Sequence, residues 1–292
     1  MPNKRKINEV IALYDLEPHI KDIYVEGATD KKVINNFLKN NDIDEVNVIT
    51  AEDIDFTEIY DEQPNIKRNN KNKLIALSNI LKEKLELDHN GITVVIDRDF
   101  DDIKNALTTN TYISYTDYNS MELYLYNEDT IDKYYNNVLT NFPLTGKESI
   151  ELMTPILTDK FLIRLVLKLN SSYKKENIIS LSKSITITKD KKRINFNLDN
   201  HLFKILNNIG ETRKLEEYIK QINDLREKLS NEKKINIRGH DFTHLLYTII
   251  KRIKNRINLG EDIFEKTIFL CIDYNKLSNE PLFLNLRKKY AN

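Results

Sequence analysis

The stretch Gly91–Asp102 reads GITVVIDRDFDD, and its reading decides the fold. Ile92, Val94, Val95 and Ile96 are β-branched aliphatics with only Thr93 among them, too few polar positions for a solvated face, so the run predicts a buried central strand. Asp97, Asp99 and Asp101 follow at period two where that strand emerges. Carboxylates gathered at such a point repel one another unless a cation or a basic group sits among them. A divalent metal is the simplest such partner.

Working outward, Lys21–Val25 is a second strand, ended by Glu26-Gly27, and Thr29 or Asp30 is expected to cap the helix that follows. That helix runs to about Asn40 and repeats Val33, Ile34, Phe37 and Leu38 on one stripe, fit to lie on a sheet. Glu45–Thr50 predicts a third strand, and Thr111–Tyr115 a fourth. Before the opening stretch, Leu74, Ile75, Ile80, Leu81 and Leu85 spell an amphipathic helix, while Ala51–Asn70 reads as a loop. Lys6–Leu16 is a lead-in helix stopped by Pro18. Strands alternating with helices predict an α/β fold with a mainly parallel sheet, whose ligands lie beyond the carboxyl ends of the strands. Glu26 and Asp97 each stand at such an end, and they meet if their strands are parallel neighbours.

After Asn127 the pattern turns helical, with a dense apolar helix from Lys147 to Leu169, so the expected division is residues 1–127 and 128–292. Within the second part, residues 184–198 read SITITKDKKRINFNL and predict a hairpin about a basic turn. Leu215–Leu229 is a charged amphipathic helix. Gly239-His240-Asp241 introduces another, from Phe242 to about Ile257. Thr116–Glu122 leads into a helix containing Glu122, with Asp117 or Ser120 as its cap.

Lys and Arg together number 45, as do Asp and Glu, so no global field announces a polyanionic partner. One cysteine, Cys271, excludes a disulfide framework and a cysteine zinc cluster, and is read as a packed core residue. No run approaches the roughly 18 apolar residues of a membrane span, and the start MPNKRKINEV has no apolar signal region. A soluble, cytoplasmic protein with no membrane contact is expected.

Hard oxygen ligands such as Glu26, Asp97 and Asp99 suit Mg²⁺ or Mn²⁺, which polarise a phosphodiester and help generate the attacking water. Glu26 serves there as ligand or as general base. An Asp-X-Asp after an apolar run also marks nucleotide-sugar transferases and phosphoaspartyl phosphatases, or a solvated turn. The phosphatase pattern wants a Thr or Val where Phe100 stands.

Ile23-Tyr24-Val25-Glu26-Gly27-Ala28-Thr29-Asp30-Lys31 resembles the first motif of the Toprim domain, and Val94-Val95-Ile96-Asp97-Arg98-Asp99 resembles its Asp-X-Asp motif, in that order. Thr116–Leu125 and Arg238-Gly239-His240-Asp241 are similar to motifs of a bacterial family that joins a Toprim half to a helical half. That family includes the nuclease subunit of PARIS-type anti-phage systems, related to the overcoming-lysogenization-defect nucleases. The resemblance implies a Rossmann-like catalytic domain followed by a mostly helical one, a homodimer, and a metal-dependent endonuclease toxin held by an ABC- or AAA-type ATPase partner until infection. It implies cleavage of nucleic acid, DNA or RNA, with tRNA the favoured target. Glu26, Asp97 and Asp99 match the catalytic and metal-binding positions. Glu122 matches the acid of the later motif, read as metal-proximal or as a charge at a helix start. Asp101 is a third ligand or a surface acid. The rival readings are a non-catalytic module that binds a metal or partner, and a nucleotide-sugar transferase.

Cations near these motifs have two readings each. Lys31 and Lys32 bind the scissile phosphate or are solvated. Lys191 and Arg193, with Lys189 and Lys192 in the hairpin turn, form a substrate finger or a solvated loop. Lys251, Arg252, Lys254 and Arg256 track a phosphate backbone or face water. Arg98 is expected to point away from its flanking aspartates as a structural partner. His240-Asp241 is read as helix capping and docking. Tyr112, Tyr115, Tyr118, Tyr124 and Tyr126 are read as half-buried packing more than base-stacking.

Overall fold

Strand-forming runs and amphipathic helices alternate through the first half of the chain, and the computed structural model, describing residues 4–62, 65–85, 89–101, 107–172, 179–191, 193–229, 233–254 and 259–291, resolves them into one parallel sheet. In order come β1 (Arg5–Lys6), α1 (Ile7–Leu16), β2 (Lys21–Val25), α2 (Ala28–Asn40), β3 (Val46–Thr50), β4 (Ile54–Asp55), α3 (Thr57–Glu62), α4 (Asn70–Lys84), β5 (Ile92–Ile96) and β6 (Ile113–Tyr115). The main sheet runs β3-β2-β5-β6, every neighbouring pair parallel. All residues of β5 are buried, as the aliphatic run predicts. A two-residue parallel pairing of β1 with β4 stands apart from it.

Next come α5 (Glu128–Tyr134), α6 (Gly146–Leu169), the antiparallel hairpin β7 (Ile185–Ile187) and β8 (Ile194–Phe196), α7 (Leu198–Ile209), α8 (Leu215–Lys228), α9 (Gly239–Ile253), α10 (Glu261–Ile268), α11 (Tyr274–Leu277) and α12 (Pro281–Tyr290). This is an α/β chain with a parallel sheet and a helical later part carrying a small hairpin. Among the described residues, no helix is long and apolar enough to cross a membrane.

Two compact units divide the chain: Met1–Met121 with Asp273–Asn292, and Glu122–Ile272. The expected division placed everything after residue 127 in the second part. Asp273 onward instead returns to the first unit. The rings of Phe37 on α2 and Phe283 on α12 pack edge to face with centroids 4.9 Å apart, and the Tyr290 hydroxyl bonds Thr93 Oγ1 on β5 at 2.7 Å. Helical periodicity says that a segment has an apolar face, not which sheet that face will cover.

Local corrections follow the same logic. The stretch read as a loop before α4 holds a 3-10 turn, β4 and α3, because Ile54, Phe56 and Ile59 join the core packed on the sheet. Gly27, not Thr29 or Asp30, is the N-cap of α2. Asp30 at the third helical position accepts the Gly27 N–H at 3.0 Å, half of a reciprocal cap. The turn containing Glu122 is a 3-10 helix from Met121 to Leu125. Both Asp117 carboxylate oxygens lie 3.1 Å from Leu282 N at the start of α12. Asp117→Ala is expected to lower stability by about 1 kcal/mol, measured by urea unfolding.

Gly91 is required for its bareness: a Cβ there would stand 2.2 Å from the Ile20 backbone carbonyl. Its own carbonyl accepts the Asp22 N–H at 3.0 Å, so β2 and β5 can begin side by side only with no side chain between. Gly91→Ala is expected to cost about 3 kcal/mol, read as a lowered denaturation midpoint.

In the second unit, α6, α7 and α8 share a core of Leu162, Ile163, Val166, Leu202, Ile205, Tyr218 and Ile222. Cys271 is buried, as are Tyr112, Tyr118, Tyr124 and Tyr126, while Tyr115 is half-buried, in line with the packing reading.

Candidate functional site

The connection β2-α2-β3 leaves the sheet on one side of β2, and the chain re-enters on the other side at β5. The strand order therefore reverses between β2 and β5, and in open parallel sheets the crevice beyond the carboxyl ends at such a point is where ligands bind. Glu26 follows the last residue of β2, and Asp97 the last of β5. The two meet: Glu26 Oε1 accepts the Asp97 N–H at 2.9 Å.

Asp99 has a left-handed backbone, φ 54°, which Asp tolerates better than most residues, and its N–H bonds the Asn119 carbonyl at 3.0 Å. That kink turns the chain sharply after β5. Two residues along the same loop, the Met121 N–H donates to Asp97 Oδ1 at 3.2 Å. The segment after β6 thus pins both aspartates through its backbone. Between those contacts Ser120 Oγ, 7% exposed, is a buried hydroxyl with no hydrogen-bond partner. An orphan of that kind is costly to bury and marks room for a missing polar group. In the sequence Ser120 stands out only as a candidate cap.

The basic group that the clustered carboxylates require is also present. Lys71, near the start of α4 and 8% exposed, carries its ammonium into the cluster. Nζ is 2.6 Å from Asp101 Oδ2 and 3.4 Å from Asp99 Oδ2; it donates to the Asp97 carbonyl and lies 3.3 Å from the Arg98 carbonyl. The neighbouring Asn70 fastens α4 to the end of β2 by donating to the Glu26 carbonyl at 2.8 Å. The α4 periodicity marks only an amphipathic helix and gives no sign that Lys71 is a site residue.

Burial, aided by the negative charges of Asp99 and Asp30, pushes the Glu26 carboxyl up to about 7, against the pull of the Asp97 N–H and of Lys71. For Lys71, burial works against the charge, but Asp99 and Asp101 more than compensate and raise its affinity for the proton. The ammonium stays charged. In donor chemistry, carboxylates and carbonyl oxygens with one orphan hydroxyl nearby, the cluster fits a hard divalent cation. Its arrangement is filled by Lys71, and among the described residues no three His, Cys, Asp or Glu side chains converge as a metal-holding group.

The remaining expected site residues are dispersed. Arg98 Nε donates to the carbonyl of Thr116, just past β6, at 3.2 Å. Lys31 reaches Asp53 at 3.7 Å and Lys32 is exposed. Glu122 belongs to the second unit. So do the hairpin and α9 cations, and most of these tie backbone together: Lys191 donates to the Ile253 carbonyl at 3.1 Å, Arg252 to the carbonyls of Ile185 and Ser182, and Lys254 to those of Leu139 and Thr140. Lys251 lies 3.4 Å from the Leu259 carbonyl, and Arg193 is exposed. Lys192 and Arg256, and the expected end of α9 at Ile257, lie outside the described residues.

His240-Asp241 does not cap α9, whose N-cap is Arg238. Asp241, 5% exposed, receives two hydrogen bonds from the Arg164 guanidinium at 2.9 Å each and one from Lys160 Nζ at 2.8 Å. This triad lines an open cleft of about 420 Å³ together with His240 and His244. His244 is bonded at both ring nitrogens, to Ser180 Oγ at 2.7 Å and Glu261 Oε1 at 2.6 Å, and so joins α9 to α10 and to the segment before β7.

No protein-family model matches the chain, and no curated protein matches it.

Proposed function

We propose that the first unit is a Toprim-type catalytic module and that the protein is a metal-dependent nuclease using Mg²⁺ or Mn²⁺. The observation that carries this reading is the meeting of Glu26 and Asp97 at the reversal point of the sheet, where Glu26 Oε1 accepts the Asp97 N–H at 2.9 Å. Glu26, Asp97 and Asp99 would hold the ion, with Asp101 beside them. Bound there, it supplies positive charge to phosphodiester oxygens and acidity to water. Glu26 has its own part: a carboxyl poised near neutrality can accept a proton from water and return it to a leaving group. The Met121 N–H and the Asn119 carbonyl keep Asp97 and Asp99 in place for that work.

On the strength of the motif resemblance alone, the substrate is nucleic acid with tRNA favoured, and the setting is an anti-phage effector toxin restrained by an ATPase partner, acting as a homodimer. A second reading has an observation of its own. The Lys71 ammonium itself supplies positive charge to Asp99 and Asp101, which suits a non-catalytic module that binds a metal or a partner.

End-labelled tRNA, bulk RNA and plasmid DNA incubated with the protein in Mg²⁺, Mn²⁺ or EDTA separate the two readings. Metal-dependent cutting that disappears in Glu26→Gln supports the nuclease and names its substrate class. Cutting that survives in that variant removes the assignment to this site. No cutting by the protein, alone or with the partner that co-purifies from its host, favours the binding module.

A further inference from the structure

The charged end of Lys71 lies within hydrogen-bond reach of the backbone of Asp97 and Arg98 and of the carboxylates of Asp99 and Asp101. An ammonium has three protons to give, and here it is surrounded by four oxygens, the environment a hard metal ion would otherwise take. We propose that Lys71 is a resident counter-cation, which holds the acid cluster together in the metal-free protein and leaves it when a divalent ion is loaded.

The inference rests on the proposed metal site and deepens it. Without a cation, Asp99 and Asp101 would converge on the same half-buried place, with Asp99 also acting on Glu26, an arrangement that like-charge repulsion opposes. Lys71 removes that cost at the price of occupying the place. A divalent ion and an ammonium cannot share the same few oxygens, so loading exchanges one for the other. The exit is short: the Tyr115 ring centroid is 6.0 Å from Nζ, a face on which a displaced ammonium can rest. The long, unbranched lysine side chain makes the swing with its own rotamers while Asn70 keeps α4 fastened to the Glu26 carbonyl. Arginine would be held too firmly by several oxygens at once to leave as readily.

Two measurements test the exchange. In the unmodified protein, reductive methylation of Lys71 followed by mass spectrometry is expected to be slow in EDTA and several-fold faster at saturating Mg²⁺. Protection that is unchanged at saturating metal overturns the proposal, whatever the fate of any variant. In the second, Mn²⁺ binding is followed by electron paramagnetic resonance for the wild type and for Lys71→Met and Lys71→Gln, each checked for native circular dichroism. Removing the competing charge is expected to tighten Mn²⁺ binding by about 10-fold or more. Equal binding by wild type and variants sinks the exchange and leaves the metal site standing; weaker binding by the variants does the same. Absence of Mn²⁺ binding in both wild type and folded variants removes the metal site and the exchange together.

Discussion

Glu26→Gln is expected to lower metal-dependent cleavage by at least about 100-fold while leaving the protein folded and, in EDTA at pH 8, more stable than the wild type. The loss follows from the loss of both a proton acceptor and an anionic ligand, effects each worth orders of magnitude in rate. The gain follows from the site. Glutamine keeps an oxygen to accept the Asp97 N–H, but carries no charge into the crevice beside Asp99 and Asp30. The sign is fixed by linkage: the folded carboxyl titrates near 7 and the unfolded one near 4.3, so the folded protein holds the extra proton between those values. Wild-type stability therefore falls as pH rises through that window, and the full cost is present above it. Discounted for partial exposure, it is on the order of 1–3 kcal/mol. Melting curves in EDTA at pH 4 and pH 8 check it: the variant should match the wild type at the lower pH and exceed it at the higher. A variant that melts below the wild type at both values would show that Glu26 stabilises the fold, and loss of cleavage could then not be assigned to chemistry.

The second large effect belongs to the other unit. Asp241→Ala is expected to destabilise by about 3–5 kcal/mol, because it strands the buried charges of Lys160 and Arg164, respectively 3% and 7% exposed. Against a typical total of about 5–15 kcal/mol, that is enough to melt the unit near physiological temperature. Burial opposes ionisation of Asp241, but Lys160 and Arg164 hold its carboxyl down at about 2. A carboxyl with a depressed folded value contributes its stability above about pH 4 and loses it as pH falls toward 2, so acid unfolding of the wild type should include this contribution and that of Asp241→Ala should lack it. Replacing all three members by apolar residues of similar volume should recover most of the loss, since it removes the stranded charges along with their partner. Urea unfolding of the single and triple variants measures both. A single variant with an unchanged midpoint would mean the triad is solvated in solution.

The basic stripe on α9 and the hairpin turn show how a charged residue can be seen in the sequence while its folded contacts cannot. Spacing identifies Lys191, Arg252 and Lys254 as cations on exposed faces, a fair guess at a phosphate track. The structure sets each against a backbone carbonyl, and Arg252 and Lys254 against two apiece. These carbonyls belong to the ends of helices and strands and to turns, whose positions in space no local pattern specifies. Asp117 is a parallel case. Its sequence position, like that of Ser120, marks it as a candidate cap for the helix just ahead, and its carboxylate also accepts the Leu282 N–H in the first turn of a helix that begins far down the chain at Pro281.

What the sequence determined by itself is what short-range physics controls: the aliphatic run of β5, the stripe on α2, the hairpin of β7 and β8, and the placing of Glu26 and Asp97 at strand ends. Period and propensity act over a few residues and leave their mark in the order of the residues. Only the tertiary structure decided that Lys71 enters the acid cluster from 26 residues before Asp97, that Asp241 finds Arg164 across 77 residues, and that Tyr290 returns to Thr93 across 197. Those contacts depend on which faces meet once the chain has packed. A lysine on an amphipathic helix looks the same in sequence whether it faces water or reaches four oxygens in a half-buried crevice, and the packing around it makes the difference.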